Sequence, residues 1–407
     1  MKKYVIIATS LSNMGGAQMY IRNKILYYRS QGWNVSIISA LANNIVISDL
    51  KEFRDVIPEL QYSKYYYRKS RQIRVMESMR SIVADNNYEE IIIESTTIEL
   101  TTWAEPLAKM VGARHLVYLL QEKNVVTNSG LQKYFIFKYR RHELAGIVNT
   151  SLSAMFRDFY PLKEGESYSL PAYCNNVEAD VDCDIINSVD REKYDYIVGA
   201  LSRLDKPFVM HAVKDFCNYA AKYPDKRYLF LWIGNAPDGS TIPSTIEDMI
   251  HQYPNIELLI TGYLYPVPTR LLESCDVFIS SAGSSHVCSR SGVPTISYDG
   301  RDFKPIGVLN RTTKNSLFRD PEEKPQPLDF LLDQILIDKK FEVQPPSYRK
   351  GFPDFQTHLD FMKKMSPTKE YFEMDTVRIE SKGEWRVALG LLLFGPNGYK
   401  RLHHIKR

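Results

Sequence analysis

The sequence predicts an α/β protein built of two doubly wound domains, with a helical extension towards its C-terminal end. Three observations carry that expectation. The 407 residues exceed what one hydrophobic core ordinarily serves. A continuous apolar run, a glycine-bearing turn, an amphipathic stretch and a second apolar run follow one another near the start, and the alternation begins again near residue 194. Between the two series lies CNNVEADVDCDIINSVDREK (174–193), polar and free of aromatic residues, as interdomain linkers often are. The expected organisation is a first domain at 1–175, a linker at 176–193, a second domain at 194–335, and an extension with a basic tail at 336–407.

In the first domain, YVIIA opens as a strand, SLSNMGGAQ turns, and Ile21, Ile25 and Tyr28 share one face of a helix that ends near Gly32, before NVSIIS. Strands without polar alternation are those of a parallel sheet covered on both faces. Further strands are expected at Ile91–Ser95, His115–Leu120 and Gly146–Ser151. In the second domain the series runs YDYIVGALSR, a helix from about Phe208 to Tyr223, YLFLWIG, a helix near Ile246, NIELLITG, a helix around Leu271, DVFISS and GVPTIS. From about Pro321 the chain is rich in Pro, Lys and aromatic residues and ends in a helical pattern, GEWRVALGLLLFG, and the basic tail YKRLHHIKR.

Composition sets bounds on the function. The chain is 44% apolar and 25% charged, which is globular, and a net charge of +4 names no partner for the whole surface. Five widely spaced cysteines (174, 183, 217, 275 and 288) form no C-x-x-C pair, which points to a reducing cytoplasm rather than a disulfide framework or a zinc site. Met1-Lys2-Lys3 resembles the start of a signal peptide, but Tyr4–Ala8 is too short for its apolar core and reads as a strand. No run approaches the ~20 apolar residues of a membrane span, so any membrane contact would be peripheral.

Six stretches could carry chemistry. Paired glycines, Gly15 and Gly16, sit between strand and helix, where backbone N–H groups and the helix dipole favour an anion; a plain tight turn fits equally well. Arg203 and Lys206 follow the first strand of the second domain, and strand carboxyl ends are where open α/β sheets bind ligands. A guanidinium fork and a point charge suit a diphosphate, unless Asp205 merely balances one of them in a surface pair. Gly283, Ser284 and Ser285 offer donors to a phosphate in a loop at another strand end. Adjacent Ser285 and His286 do not make a nucleophile, because triads are assembled in space. Asp180, Asp182 and Asp184 superficially match a D-x-D metal motif, but they lie in the expected linker and no metal site is expected. Lastly, 62-YSKYYYRKSRQIR-74 and 133-KYFIFKYRRH-142 interleave cations with aromatics. This suits an anionic bilayer surface, or else a solvated face with core aromatics behind it; nucleic acid is not an expected partner.

Taken in order, GGAQMYIRNKILYYRSQGWNVSIIS, GALSRLDK, FLWIGN, ITGYL, LLESCDVFISS and SGVPTIS resemble the glycosyltransferases of GT-B architecture. The likeness is greatest to the family-4-like retaining enzymes of bacterial surface polysaccharide synthesis and covers about residues 1–300. The resemblance implies two Rossmann-like domains facing a cleft, a nucleotide-sugar donor on the second, and a glycan acceptor, lipid-linked, on the first. It implies Arg203 and Lys206 as the pair that neutralises the donor diphosphate without metal or cofactor. Gly15 and Gly16 match the loop near donor phosphate and acceptor, and Gly262 and Tyr263 the loop that meets the nucleobase. A cytoplasmic enzyme at the inner face of the cell membrane would follow. One departure stands out: such enzymes carry two glutamates around the G-x-P turn, whereas 280–291 reads SSAGSSHVCSRS, and the first acidic residue after it is Asp299. Ser284, Ser285, His286 or Arg290 would have to replace them. A non-catalytic subunit of the same fold, or a sugar-nucleotide epimerase, are the alternatives.

Overall fold

The computed structural model describes residues 1–407 except 13, 42–44, 122, 164–167, 238 and 405–407, and for 402–404 the backbone alone. The chain divides into two units: residues 1–12, 17–173 and 352–407 form the first, and 174–351 with the turn residues 14–16 form the second.

The first unit is built on strands β1 (Lys2–Ser10), β2 (Asn34–Leu41), β3 (Arg54–Val56), β4 (Glu90–Ser95), β5 (Arg114–Leu119) and β6 (Leu144–Gly146). They form one parallel sheet in the order β3-β2-β1-β4-β5-β6. Successive side chains of a strand point to opposite faces, so the unbroken apolar run of β1 supplies two cores. Val5 and Ile7 pack with Ile38, Ile93, Met79 and Trp103, while Tyr4 stacks on Tyr28 of the helix Gly16–Ser30, ring centroids 4.0 Å apart. The expected strand Gly146–Ser151 is shorter than its apolar pattern suggests. Only Gly146 belongs to β6, and the helix Asn149–Phe156 begins three residues later, burying Leu152 and Met155.

Two buried polar networks lie in this unit. In the first, Lys24 and Glu94 form a fully buried ion pair. Tyr4 and Tyr20 donate to the carboxylate at 2.6 and 2.8 Å. His358 Nδ1 accepts from Lys24 Nζ at 3.0 Å, and its Nε2–H donates to the Pro171 carbonyl at 2.9 Å. Burial, and then the Lys24 ammonium, hold His358 down at about 2, so it is neutral. In the second network Glu105 binds His115 Nδ1 at 2.6 Å and Lys138 at 3.0 Å, and accepts the Phe372 backbone N–H at 2.9 Å. Burial alone would raise Glu105, but Lys138 and then His115 pull it down to about 2; burial and Lys138 lower His115 to about 4.

His358 and Phe372 belong to the C-terminal stretch, and this corrects the expected extension. Residues 336–407 are not one appended piece. Those to 351 lie in the second unit, where the Gln344 and Ser347 N–H groups bond the Gly292 and Arg290 carbonyls at 3.0 and 2.7 Å. Those from 352 complete the first, where His358 and the Phe372 N–H add hydrogen bonds to the two buried networks.

In the second unit β7 (Glu178–Ala179) and β11 (Val267–Pro268) pair as a small parallel ladder, so the expected linker is built into this unit. The main sheet comprises β8 (Tyr196–Leu201), β9 (Tyr228–Ile233), β10 (Ile256–Ile260), β12 (Val277–Ser280), β13 (Thr295–Tyr298) and β14 (Pro305–Val308). Its order is β10-β9-β8-β12-β13-β14, parallel except for the antiparallel edge strand β14. The helix Val209–Lys222 buries Val209, Ala212, Val213, Phe216 and Ala220, spaced for one helical face, in a core with Phe230, Trp232 and Ile279.

Candidate donor site

From the adjacent central strands β8 and β12 the chain winds outward in opposite directions, to β9 and β10 on one side and β13 and β14 on the other. The carboxyl ends of such a pair flank the crevice in which open α/β sheets bind ligands. Ser280 Oγ donates to the Leu201 carbonyl at 2.8 Å, tying the two strand ends together just below that rim.

Arg203 and Lys206 follow β8. Ser202 N–H bonds the Ile233 carbonyl and Leu204 N–H the Asn235 carbonyl, at 3.2 and 3.1 Å, which fixes the turn on the end of β9. Gly234 makes this possible: its φ is +144°, and a Cβ there would sit 2.0 Å from the Ser202 carbonyl oxygen. Arg203 faces Asp205, with Nε 3.0 Å from Oδ1 and Nη2 donating to Oδ2 at 3.1 Å. The surface-pair reading of the sequence is thus realised for Arg203, but both groups are about one third exposed and such a pair is weak. Lys206 is exposed and makes no ion pair among the described residues.

Gly283, Ser284, Ser285 and His286 follow β12, where the expected loop is instead the opening of a helix, Ala282–Arg290. Ser285, Val287 and Cys288 are its buried residues; the three polar residues Ser284, Ser285 and His286 in a row obscure any apolar stripe. Ala282 carries a positive φ of 56° and its N–H bonds the Ser316 carbonyl. The first turn of the helix supplies N–H groups without intrahelical partners, and a Cβ at Gly283 would meet nothing within 4 Å. Ser285 Oγ is buried with no hydrogen-bond partner among the described residues. The His286 residue keeps an exposed edge, but partial desolvation of its ring, then Arg290 and Arg349, lower its pKa, so it is neutral near pH 7.

Gly262 and Tyr263 follow β10, with Gly262 at φ +74° bridged to Gly234. Strands lie about 4.8 Å apart, so this loop stands roughly 10 Å from that of Arg203. Gly15 precedes, and Gly16 opens, the first helix of the other unit's sheet. Gly16 shows no positive φ, and a Cβ would meet only Cys174 at ordinary contact, so the backbone there does not demand glycine.

Two carboxylates bear on the missing glutamates. Asp299, at the end of β13, is buried and both its oxygens are taken, by Arg301 at 3.0 and 2.7 Å and by the Arg319 N–H at 2.9 Å. Burial would raise it, but Arg301 and these N–H groups hold it at about 2. Glu178 of β7, unrecognised in the sequence, is buried and paired with Arg290 on the helix itself. A buried acid so far upstream gives no local signal. Of the D-x-D residues, Asp182 is 96% exposed and pairs with Arg270 at 3.1 Å.

No family model matches the sequence, and no curated protein does. Solved structures do. Anabaena HepE in complex with UDP-glucose superposes with a TM-score of 0.56 at 12% identity, over 96% of this chain and 99% of that one. The same protein with UDP and glucose gives 0.55 at 12% identity, over 83% and 90%. A glycosyltransferase from Rickettsia africae gives 0.51 at 14%, over 72% and 78%. The chain has the GT-B glycosyltransferase fold. In GT-B terms the second unit's sheet presents Arg203, Lys206 and the helix from Ala282 on adjacent strand ends, with Gly262 and Tyr263 two strands away.

Proposed function

We propose that this protein is a glycosyltransferase. It moves a sugar from a nucleoside-diphosphate-sugar donor to a lipid-linked glycan acceptor in cell-surface polysaccharide synthesis. The carrying observation is the pairing, across β8 and β12, of the Arg203–Lys206 turn with the N-terminus of helix Ala282–Arg290. Cations on one side and first-turn N–H groups on the other suit a diphosphate, and the Gly262–Tyr263 loop lies at a nucleoside's reach. Charge growing on the departing diphosphate is stabilised by Arg203 and Lys206, the work a metal does in other transferases. Transfer with retention is the expected stereochemistry. The fold likeness to HepE, crystallised with UDP-glucose, supports a uridine nucleotide as the first to try.

A thermal-shift panel of UDP, GDP, ADP and CMP tests this: one nucleotide raises the melting temperature and Arg203→Ala removes the rise. Silence towards all four would overturn the reading. A second reading, a non-catalytic subunit of a transferase complex, is favoured by the lack of any carboxylate in 280–291 and by the full engagement of Asp299, the first to follow. It predicts the same nucleotide response without hydrolysis or transfer of the sugar.

A further inference from the structure

The helix opening at Lys382 and the segment beside it form a surface that the donor chemistry does not use. Val387 and Leu391 turn into the core of the first unit. On another face Trp385, Leu389, Leu392 and Leu393, at i, i+4, i+7 and i+8, are 62, 55, 46 and 64% exposed, and Phe394 follows at 54%. The helix breaks at Gly395, φ +66°, and Pro396. The return limb lays the Tyr399 ring on Gly390, where a Cβ would sit 2.2 Å from it, and against Tyr62. The strip therefore faces outward, with the return limb packed on Gly390 and Tyr62.

Its margins are cationic. Lys382 and Arg386 flank it on the same helix, Arg401 stands exposed on the return limb, and Arg68, Lys69 and Arg74 are exposed on the neighbouring segment with Ile73. That segment is joined to the helix by Tyr65, whose hydroxyl donates to Glu384 Oε1 at 3.0 Å. The nearby carboxylates are engaged. Glu384 Oε2 accepts the Glu380 and Ser381 N–H groups, Glu380 holds Ser129, and Asp375 is bound by Lys64 and Lys69. A cavity of about 460 Å³ lies at the Trp385 end, lined by Lys64, Lys69 and Arg378 around Asp375. Of the two basic-aromatic stretches, only 62–74 takes part; in 133–142, Lys138 and Arg141 are held in ion pairs with Glu143.

We propose that this hairpin, with the 62–74 segment, docks the protein on an anionic phospholipid bilayer, the apolar strip lying in the plane of the interface. Lys382–Phe394 spans about 20 Å at 1.5 Å per residue, short of a ~30 Å hydrocarbon core, and no described helix is long and apolar enough to cross a membrane. Large apolar side chains bordered by lysine and arginine are the makings of an interfacial helix, and anionic headgroups answer Arg68, Arg74, Lys382 and Arg386, which form no ion pair among the described residues, whereas Lys69 is held by Asp375. A second copy of this surface would set those cations against each other.

The full chain without nucleotide, floated with vesicles of 30% phosphatidylglycerol in phosphatidylcholine, is expected to bind them about tenfold or more tightly than pure phosphatidylcholine, and less as salt rises. Leu389→Ser with Leu393→Ser, and separately Arg68→Glu with Arg386→Glu, should each lower binding by about tenfold or more. The melting temperature and the nucleotide-induced shift should be unchanged, which separates this outcome from the fate of the donor site. Failure of the wild type to float, or variants that float equally, would overturn the proposal. So would concentration-dependent dimers abolished by the same leucine changes in sedimentation.

Discussion

The two sheets have the same strand order, yet their buried charges are placed differently. In the first unit, charged groups are withdrawn from water and matched almost completely: Lys24 with Glu94, Glu105 with His115 and Lys138. The second unit's largest core is apolar and aromatic, and its polar groups gather at strand carboxyl ends, with Arg203 in a weak pair and Ser285 Oγ unmatched. Matched groups serve cohesion, whereas groups left unmatched at a strand end remain available to a ligand.

The largest expected break in this contrast is Glu94→Ala, which strands a buried ammonium. Such losses run to about 3–5 kcal/mol. Urea unfolding followed by hydrogen exchange should show β1 and β4 deprotected with β8 and β9 untouched. Acid should act next and on the same unit. Both histidines have folded values below the ordinary 6.5, about 2 for His358 and about 4 for His115. Their contribution is therefore complete above pH 6.5 and lost as pH falls towards the folded values, by about 2 kcal/mol each at pH 5. Replacing either with Gln should flatten the melting-temperature profile between pH 6.5 and 4. Third, Gly234→Ala should cost about 1–3 kcal/mol by driving a methyl into the Ser202 carbonyl, and should weaken the nucleotide response by displacing Arg203. The smallest effect belongs to Ser285→Ala, which removes a hydroxyl with no partner. Stability should change by less than about 1 kcal/mol, while the nucleotide-induced shift shrinks.

The sequence shows strands and helices clearly where local pattern and burial agree. YVIIA, YLFLWI and the helix from Val209 carry their own signal, and motif order pointed to the fold. What escaped it depends on distant partners. Arg54–Val56 is a strand because β2 lies beside it. Residues 282–290 look like a loop because only three of nine side chains are buried. Glu178 meets Arg290 across 112 positions. Arg203 could be named from its place after a strand, but Gly234, which shapes its turn, is explained only by the approach of Ser202.

His358 also sets an order of events. Both members of the Lys24–Glu94 pair leave the ribosome early, yet their third partner, His358, follows Lys24 by 334 residues, after the whole second unit has been synthesised. Domains ordinarily fold as they emerge, the N-terminal one first. Here the first unit to be started is the last to be finished, and a chain halted before Phe352 would hold all the strands of both sheets but lack the segment that brings His358 and Phe372 to the first unit.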